Sequence, residues 1–460
     1  MAHSLSLLDG IGAGASQAKK SALAGMGVPD ALLAGSSGSV ARMQANAVIA
    51  ADGAAPLPHA NASSSAATAA ADAAQGGAVK MFASIPADDA EIKAAPVPYR
   101  GSALYVLFTD LLLFIWQAPY IPTALVPLNL NRGAYPFQDM TLQGVVFQIL
   151  ALACSLLVLP VLFSALFVGI PAPVPTLVAT WAGASLFLFA QGPEVVFGRN
   201  LAPDGHADEA WFFINGVATT PSGTRKALAR FKELFGRNVV GINNRSLGPL
   251  ADLAQCLIQR DLRWPTRDAS AGYEVLKAAL NDVAMGSKKK VVLIAHSQGG
   301  IIASAWVDQL LADFSREVLG ALEVYTFASA ASHFSSPLDS AGRPPFAHVE
   351  HFAHTLDYVC RIGVLAFTSP AGASLPVSGK TDSHTGDGPG GTAVLLPNAD
   401  YPMPITSTFY GLLFVQPAAG HLICTHYLGD KSILNSRQAR SHSRLARYMI
   451  EHGAALRRKT

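Results

Sequence analysis

The sequence feature that most constrains the fold is the eleven-residue run KVVLIAHSQGG at Lys290–Gly300. Its first half is apolar and typical of a buried strand, and the apolar residues after Gly300 are typical of a helix. Few residues are left for the turn between them, so the turn must be sharp. Ser297 stands at its centre, and two small residues, Ala295 and Gly299, stand where larger side chains would collide. A strand that leads directly into a helix predicts an α/β fold.

The same turn predicts a nucleophile. It matches the GxSxG nucleophile elbow, with Ala295 at the first glycine position, and this elbow exposes a serine hydroxyl at the carboxyl edge of the sheet. The helix that follows directs its N-terminus toward the hydroxyl and favours a developing negative charge there. Gly300 lets this helix pack closely on the sheet. Ser297 is therefore the predicted nucleophile.

Short apolar runs and amphipathic stretches alternate from residue 210 onward, which predicts a mostly parallel sheet flanked by helices. The predicted strands are Trp211–Ile214, Val239–Ile242, Val291–Ala295, Leu322–Phe327, Val349–Thr355 and Leu412–Gln416. The predicted helices are Thr224–Phe235, Leu250–Arg260, Ala271–Ala284, Ile301–Asp313 and one from Arg437 to about Ala455. Residues 366–410, rich in Gly, Pro and Ser, are too long for an ordinary connection. We interpret them as an insertion and hypothesise a lid or substrate-binding element.

A serine nucleophile needs a base, and the base needs an acid that orients it. After a GxSxG elbow the acid and the base follow in the order Asp, His, each just after a strand. Asp357 follows the strand that ends at Thr355. His421 follows the last predicted strand, after a glycine in a short loop, and His426 is the alternative base. The pattern thus predicts a Ser297-His421-Asp357 triad with the choice between the two histidines open.

Two backbone N–H groups are expected to hold the oxyanion of such a reaction. One is the N–H of Gln298, the residue after the nucleophile. The other is the N–H of Val217 or Gly216, in the loop after the predicted strand Trp211–Ile214. Gly216 allows the unusual backbone angles that this loop needs.

Residues 210–455 resemble the α/β-hydrolase superfamily and, within it, lipase-like serine hydrolases. Besides the elbow, Tyr325–Ala331 is similar to the "TFGSP" strand end of lipases, and His354–Val359 is similar to their "N-x-x-D-x-V" acid segment. The likeness extends to a group of fungal membrane-associated hydrolases with "HSQGG" and "GHL…HY" segments. The resemblance implies ester or thioester hydrolysis through an acyl-enzyme. Three positions depart from the family pattern without removing a catalytic group: Ala295, Ala328 and Asn215.

Charge is almost absent from the middle of the chain. Only three of the 93 residues 101–193 are charged. Residues 144–170 form an uncharged run longer than the roughly 20 apolar residues that cross a bilayer core. Residues 176–191 form a shorter apolar run after a Pro-rich turn. The two runs predict a transmembrane hairpin.

An earlier run, Ser102–Tyr120, is apolar but contains Asp110. It can span a membrane, lie in the interface or re-enter, so residues 101–193 are predicted to be a membrane anchor of two or three helices. The alternative is that these are core helices of a soluble protein. An intracellular membrane is the expected location.

Residues 1–100 contain 30 alanines interspersed with Ser and Gly. They cannot bury enough apolar surface to offset chain entropy, so a disordered tail is predicted. A transit peptide is the competing interpretation, because the start is Ser- and Ala-rich with a few basic residues. The hydrolase domain is then expected to span residues 194–460.

Composition excludes other classes of protein. A formal net charge of +2 argues against a nucleic-acid binder, and four cysteines argue against a disulfide-dense scaffold. No metal site is predicted from His348, His351 and His354, because positions i and i+3 of a strand point to opposite faces. No cofactor is expected.

We therefore expect a membrane-associated serine hydrolase that cleaves an acyl ester, and a lipid is the expected substrate. The alternatives are an acyltransferase or thioesterase with the same triad, or a non-catalytic α/β-hydrolase-like protein that binds at membranes. The sequence does not identify a protein partner.

Overall fold

The alternating apolar and amphipathic segments form one mixed sheet with helices packed on it. The structure, a computed structural model, describes residues 79–84, 101–124, 138–163, 194–198, 205–246, 248–370 and 403–459, all within the compact unit Asp72–Thr460. Within these residues the strands are β1 (Lys80–Ser84), β2 (Val195–Phe197), β3 (Glu209–Ile214), β4 (Val239–Ile242), β5 (Lys290–His296), β6 (Leu322–Phe327), β7 (His348–His354), β8 (Thr368–Pro370), β9 (Met403–Ser407) and β10 (Leu412–Gln416). The predicted α/β class is confirmed.

The strand order is β2-β4-β3-β5-β6-β7-β10-β1-β9-β8. The six strands from β4 to β10 are mutually parallel. β2 and β1 pair antiparallel on the two sides of this block. Because the carboxyl ends of parallel strands share one edge, the loops after β3, β5, β7 and β10 all open on the same edge of the sheet. The predicted site residues follow these four strands.

The helices cover the sheet and its loops. They are α1 (Ala103–Gln117), α2 (Leu142–Phe163), α3 (Pro221–Phe235), α4 (Pro249–Asp261), α5 (Arg267–Ala284), α6 (Gln298–Asp313), α7 (Arg316–Leu319), α8 (Tyr358–Ile362), α9 (Arg437–His442) and α10 (Arg444–Lys459). Each predicted helix between residues 224 and 313 is present and begins a few residues earlier than predicted. Thr220 and Thr266 cap α3 and α5, since their hydroxyls accept backbone N–H groups of the first turn.

The prediction of one helix from Arg437 to about Ala455 is wrong. The chain breaks at Ser443, whose hydroxyl accepts the N–H of Ala446 and donates to Glu350 at 2.6 Å. The same carboxylate accepts the N–H of Arg444 at 2.6 Å. A cap held by a buried glutamate from β7 thus starts a new helix, and the local periodicity contains no sign of this distant partner.

The predicted disordered tail, residues 1–100, is corrected at one segment. Lys80–Ser84 forms β1, which lies between β10 and β9. Val79, Met81 and Phe82 are buried. This short segment therefore buries its only large apolar side chains by pairing with strands more than 300 residues away in sequence. Composition cannot reveal such distant partners. The rest of the tail lies outside the described residues.

The ends of the predicted insertion 366–410 also extend the sheet. Thr368–Pro370 and Met403–Ser407 pair antiparallel as β8 and β9. Residues 371–402 lie outside the described part of the chain, so the lid hypothesis stays a prediction.

The predicted membrane anchor is partly described. α2 covers the first part of the run 144–170, and 176–191 lies outside the described residues. Among the described residues one helix, Ala103–Tyr120, is long and apolar enough to cross a membrane by length and composition, a test that core helices and signal sequences also pass. α1 and α2 both pack on α4. The predicted border at residue 194 therefore does not separate two compact units.

Candidate active site

Ser297 occupies a strained turn between β5 and α6. Its φ and ψ are 60° and −123°, a conformation that side-chain-bearing residues rarely adopt. A Cβ on Gly299 would lie 2.6 Å from the Ile214 carbonyl oxygen, and one on Gly300 would lie 2.4 Å from the Ser329 hydroxyl. The two glycines thus allow α6 to start directly against neighbouring loops. This packing holds Ser297 at the carboxyl edge of the sheet.

The structure brings Ser297, His421 and Asp357 together. The Ser297 hydroxyl lies 3.0 Å from His421 Nε2, and His421 Nδ1 lies 2.9 Å from Asp357 Oδ2. All three residues are buried. If Nδ1 carries the proton, His421 donates to the carboxylate and its Nε2 accepts from the serine hydroxyl. This is the arrangement in which an imidazole can remove the serine proton.

Asp357 is the N-cap of α8, and both of its carboxylate oxygens accept hydrogen bonds. Its Oδ1 accepts the N–H of Val359 at 2.9 Å, and its Oδ2 also accepts the hydroxyl of Tyr427 at 3.1 Å. Burial would raise the pKa of this fully enclosed carboxyl, but the facing His421 and the N–H of Val359 outweigh burial and hold its pKa below the ordinary value. Asp357 is therefore charged at neutral pH and can stabilise a positive imidazolium.

Four main-chain hydrogen bonds fix the loop that carries His421. The N–H groups of Gly420 and His421 donate to the carbonyls of Thr123 and Ala124, at 3.0 and 2.7 Å. The carbonyls of Gly420 and His421 accept from the ring nitrogens of His354 and His296, at 2.9 and 2.8 Å. Two of the four bonds thus come from the turn after α1. The other two come from imidazoles at the ends of β7 and β5.

Those two supporting histidines are neutral. Burial lowers the pKa of His296 to about 3 and that of His354 to about 4, because a charged imidazolium loses its hydration in the interior. The ring of His296 lies 4.6 Å from the ring of His421. Neutral rings at this position leave Asp357 as the charged neighbour of His421.

His426, the alternative base, has a different role. Its Nδ1 accepts the N–H of Leu422 at 2.9 Å and so closes the loop after His421. Its ring packs against Gly420, where an added Cβ would lie 2.4 Å from the ring. Of the two histidines, the structure places His421 between Ser297 and Asp357.

The predicted oxyanion donors flank the serine. A Cβ on Gly216 would lie 2.4 Å from Ser297 Cβ and 2.9 Å from its Oγ, so only glycine allows this backbone to approach. Gln298 is the first residue of α6. Val217 packs at the edge of an apolar cluster beside the serine, whose buried members are Phe114, Cys256, Ile301, Ala330, Tyr358, Val359 and Ile362.

A buried carboxylate that the sequence analysis did not identify holds the oxyanion loop. Asp252 accepts the N–H of Ala218 at 2.8 Å, and Ala218 has a positive φ of 54°. The same carboxylate accepts the hydroxyl of Ser246, which in turn contacts Gln148 of α2. The loop that follows β3 is therefore fixed from α4, with α2 behind it.

Tyr427 and the turn Pro122–Ala124 were also missed. Tyr427 belongs to the "HY" segment, so the resemblance pointed near it, although its hydroxyl contact with Asp357 depends on the fold. The Pro122–Ala124 turn acts through backbone carbonyls, which carry no residue-type signal.

Asp139 accepts the N–H groups of Cys424 and Thr425, at 2.6 and 3.0 Å, and fixes the segment that follows His421.

The three histidines of β7 have separate partners. His348 pairs with Glu350 at 2.6 Å, and His351 contacts the Thr326 hydroxyl at 2.8 Å. His354 supports Gly420. Among the described residues, no group of three or more His, Cys, Asp or Glu side chains could hold a metal ion.

Comparisons with known proteins add little to this site. No protein-family model and no curated protein matches the sequence. A solved structure of Trichoderma reesei cutinase in complex with a C11Y4 phosphonate inhibitor is similar at a TM-score of 0.24 and 12% identity, over 46% of this chain and 87% of the cutinase chain. A TM-score this low supports no inference about the chemistry of the site.

Proposed function

We propose that the protein is a serine hydrolase of the α/β-hydrolase fold that cleaves an acyl ester. The observation that carries the proposal is the hydrogen-bonded chain from the Asp357 carboxylate through His421 to the Ser297 hydroxyl, at 2.9 and 3.0 Å. A serine on a strained strand-to-helix turn, an imidazole base within hydrogen-bond distance of it and a buried charged acid are the groups that acyl transfer needs.

In the proposed reaction, the Ser297 oxygen attacks the ester carbonyl carbon as its proton moves to His421 Nε2. The backbone N–H of Gln298, with that of Val217 or Gly216, stabilises the negative oxygen. His421 returns the proton to the departing alkoxide, which leaves an acyl-enzyme and a free alcohol. A water molecule then attacks the acyl carbon as His421 takes its proton. The bond between the acyl carbon and the Ser297 oxygen breaks, His421 returns the proton to that oxygen, and the acid is released.

We propose an apolar acyl group and a membrane setting for this reaction. Val217 is only partly buried and packs on apolar side chains, which supports an aliphatic acyl chain beside it. The uncharged run 144–170 and the exposed apolar helices support association with a membrane, and an intracellular membrane remains part of the proposal. A lipid ester has an apolar acyl group and is found in a membrane, so we propose a lipid ester as the substrate.

Turnover of p-nitrophenyl acyl esters tests the hydrolase. Ser297→Ala should lower kcat/KM at least a thousandfold, because the nucleophile is lost. Ser304→Ala is the matched control, since Ser304 is a buried serine of the same helix that contacts His333 instead. Equal loss in both variants would show that folding, not the nucleophile, was affected.

Product analysis separates the alternatives. Adding an alcohol acceptor should leave the free acid as the main product, whereas a predominant transfer product would identify an acyltransferase. Faster turnover of an acyl thioester than of the matched oxygen ester would identify a thioesterase. Folded wild type that turns over neither ester would contradict the proposal and favour a non-catalytic binding protein.

A further inference from the structure

The side of α1 that faces away from the rest of the molecule is entirely apolar. We call this side the α1 outer face; its members are Leu104, Tyr105, Phe108, Leu111, Leu112, Ile115 and Trp116, each 43–76% exposed. Asp110, the one charged residue in Ala103–Gln117, points inward and is 1% exposed. Isolated exposed apolar residues are ordinary, but a helix face of seven without a charge marks a binding surface.

The described part of α2 repeats this pattern. The α2 outer face consists of Leu142, Val146, Ile149, Leu150, Leu152 and Leu156, each 37–63% exposed, and of the exposed but uncharged Gln143. The inward side packs on α4, where Ala151 meets Gly248 and Gln148 meets Ser246. The chain then continues without a charged residue to Glu194. Both outer faces thus belong to a long stretch of sequence that avoids charge.

α1 is tied to the hydrolase unit through a buried ion pair. Asp110 Oδ2 lies 2.7 Å from Arg260 Nη2 of α4, and the two side chains are 2% and 1% exposed. Arg260 also donates to the carbonyls of Ala330 and Ile362 and lies over the Phe114 ring. Moving α1 across a bilayer would take Asp110 away and leave the buried Arg260 with Asp261, at 3.3 Å, as its remaining carboxylate partner. The pair therefore favours a helix that stays on the unit.

We propose that the α1 and α2 outer faces bind a phospholipid surface, with both helices lying along that surface while their inward faces stay packed on α4. This rests on the proposed function, because it supplies the surface from which a lipid ester would reach Ser297. A lipid surface fits better than a second protein copy, since a protein interface normally includes polar side chains and a polar rim. An apolar helix face lying on a membrane needs neither.

The proposal links the lipid surface to the active site. Immediately after α1, the Thr123 and Ala124 carbonyls hold the His421 loop. The Thr123 hydroxyl also bonds the Leu356 carbonyl, one residue before Asp357. In α8, Arg361 donates to Gln117 at 2.7 Å and stacks on Tyr120. A surface that holds α1 therefore lies beside the loops of both the base and the acid.

The test uses the full chain and phosphatidylcholine vesicles. Cys154 on α2 is exposed, and the other three cysteines are buried, so a thiol-reactive NBD fluorophore can be placed at this position. The probes are co-flotation of the protein with vesicles, the NBD emission and its quenching by externally added dithionite. The test variant is Phe108→Asp with Leu112→Asp. The control is Met285→Asp with Ile450→Asp, which alters two exposed apolar residues, 71% and 41% exposed, outside α1 and α2.

We expect wild type and control to float with vesicles, NBD emission to shift to the blue, and dithionite to quench it completely. The α1 variant should partition into vesicles at least tenfold less.

Equal flotation of variant and wild type would overturn the docking surface, as would failure of wild type to float. NBD that vesicles protect from dithionite would overturn the surface orientation in favour of a span. A wild-type dimer without vesicles that the α1 variant converts to monomer would assign the face to a second copy and overturn the proposal.

Fluorophosphonate labelling of the same samples separates this inference from the proposed function. The α1 variant should label at the wild-type rate in solution, because Phe108 and Leu112 lie outside the triad. Absence of labelling in wild type that floats would contradict the hydrolase and leave the docking surface intact. Normal labelling of wild type that does not float would overturn the docking surface and leave the hydrolase intact.

Discussion

Two apolar helices of this chain, α6 and α1, have similar lengths and opposite surroundings. α6 follows the nucleophile and buries Ile301, Ile302 and Trp306 at 2–4% exposure. α1 buries a narrow stripe around Asp110 and Phe114 and leaves its outer face open. Apolar composition thus predicts that a helix will be covered, but not by what. α6 is covered by the sheet and its neighbours, whereas α1 has protein on one side only among the described residues.

The inward side of α1 can be tested by its ion pair, where we expect the largest effect. Asp110→Asn should lower the free energy of unfolding by about 3 kcal/mol, because the buried Arg260 loses one of its two carboxylate partners and keeps only Asp261, at 3.3 Å. Urea denaturation measures this change. The control is Glu233→Gln, whose side chain is 67% exposed and pairs with Arg230; an exposed pair contributes about 1 kcal/mol or less. Similar losses for the two variants would show that α1 is not packed as described.

The enclosure of α6 can be tested at its first turn. Gly299→Ala should lower the free energy of unfolding by about 1–3 kcal/mol, because the new methyl group meets the carbonyl oxygens of Ile214 and Asn215 at 2.6 and 3.0 Å. Because these atoms belong to the loop before Gly216, ester turnover should also fall. Gly198→Ala, where nothing lies within 4 Å of the new Cβ, is the matched control. An unchanged Gly299→Ala variant would contradict the close packing of α6.

Three buried histidines predict that the stability of the fold depends on pH. Burial lowers the pKa of His296 to about 3 and those of His351 and His354 to about 4, below the ordinary value of about 6.5. At pH values between the lowered pKa of the folded protein and the ordinary pKa of about 6.5, these histidines bind protons in the unfolded chain but not in the folded protein. Stability should therefore be complete above pH 6.5 and fall as the pH drops toward 4.

The size of this effect can be measured at one histidine away from the triad. From pH 7 to pH 5, wild type should lose about 2 kcal/mol more stability than His351→Gln, since 1.5 pH units correspond to about 2 kcal/mol for one proton. Denaturation curves at the two pH values give the difference. Equal losses in both proteins would mean that His351 is protonated in the folded state or contributes nothing.

The smallest effect is expected on the α1 outer face. Phe108→Ser, without lipid present, should change the free energy of unfolding by less than about 0.5 kcal/mol, because the side chain is 59% exposed. Thermal or urea denaturation in buffer is sufficient. A loss of several kcal/mol would mean that protein covers this face, which would remove the contrast with α6.

Local pattern was enough to predict the elbow and the strands that carry the site. The run around Ser297 combines a buried strand, small residues and a helix in one continuous segment, so no distant information is needed. Asp357 was predicted from its position after a strand, and the structure places it beside His421. The pattern left His421 and His426 as alternatives, because which ring faces the serine depends on loop contacts with Thr123 and Ala124.

The elements that the sequence analysis missed depend on distant partners. β1 is a five-residue segment whose neighbours are β10 and β9, so its pattern in isolation is too short to distinguish from an Ala-rich tail. By sequence pattern alone, Asp110 interrupts an apolar helix. Its partner Arg260 lies 150 residues later, so only the fold shows the ion pair. Asp252 is an ordinary helix residue by pattern, and only the fold brings it to the N–H of Ala218.

The proposed hydrolase needs Ser297 as a nucleophile that His421 activates. The direct measurement is peptide mass spectrometry of the full-length protein after reaction with a fluorophosphonate ester. We predict one adduct, on Ser297, that forms at least a hundredfold more slowly in His421→Ala and at the wild-type rate in Ser304→Ala. An adduct on another serine, or a rate at Ser297 that is unchanged in His421→Ala, would contradict the account.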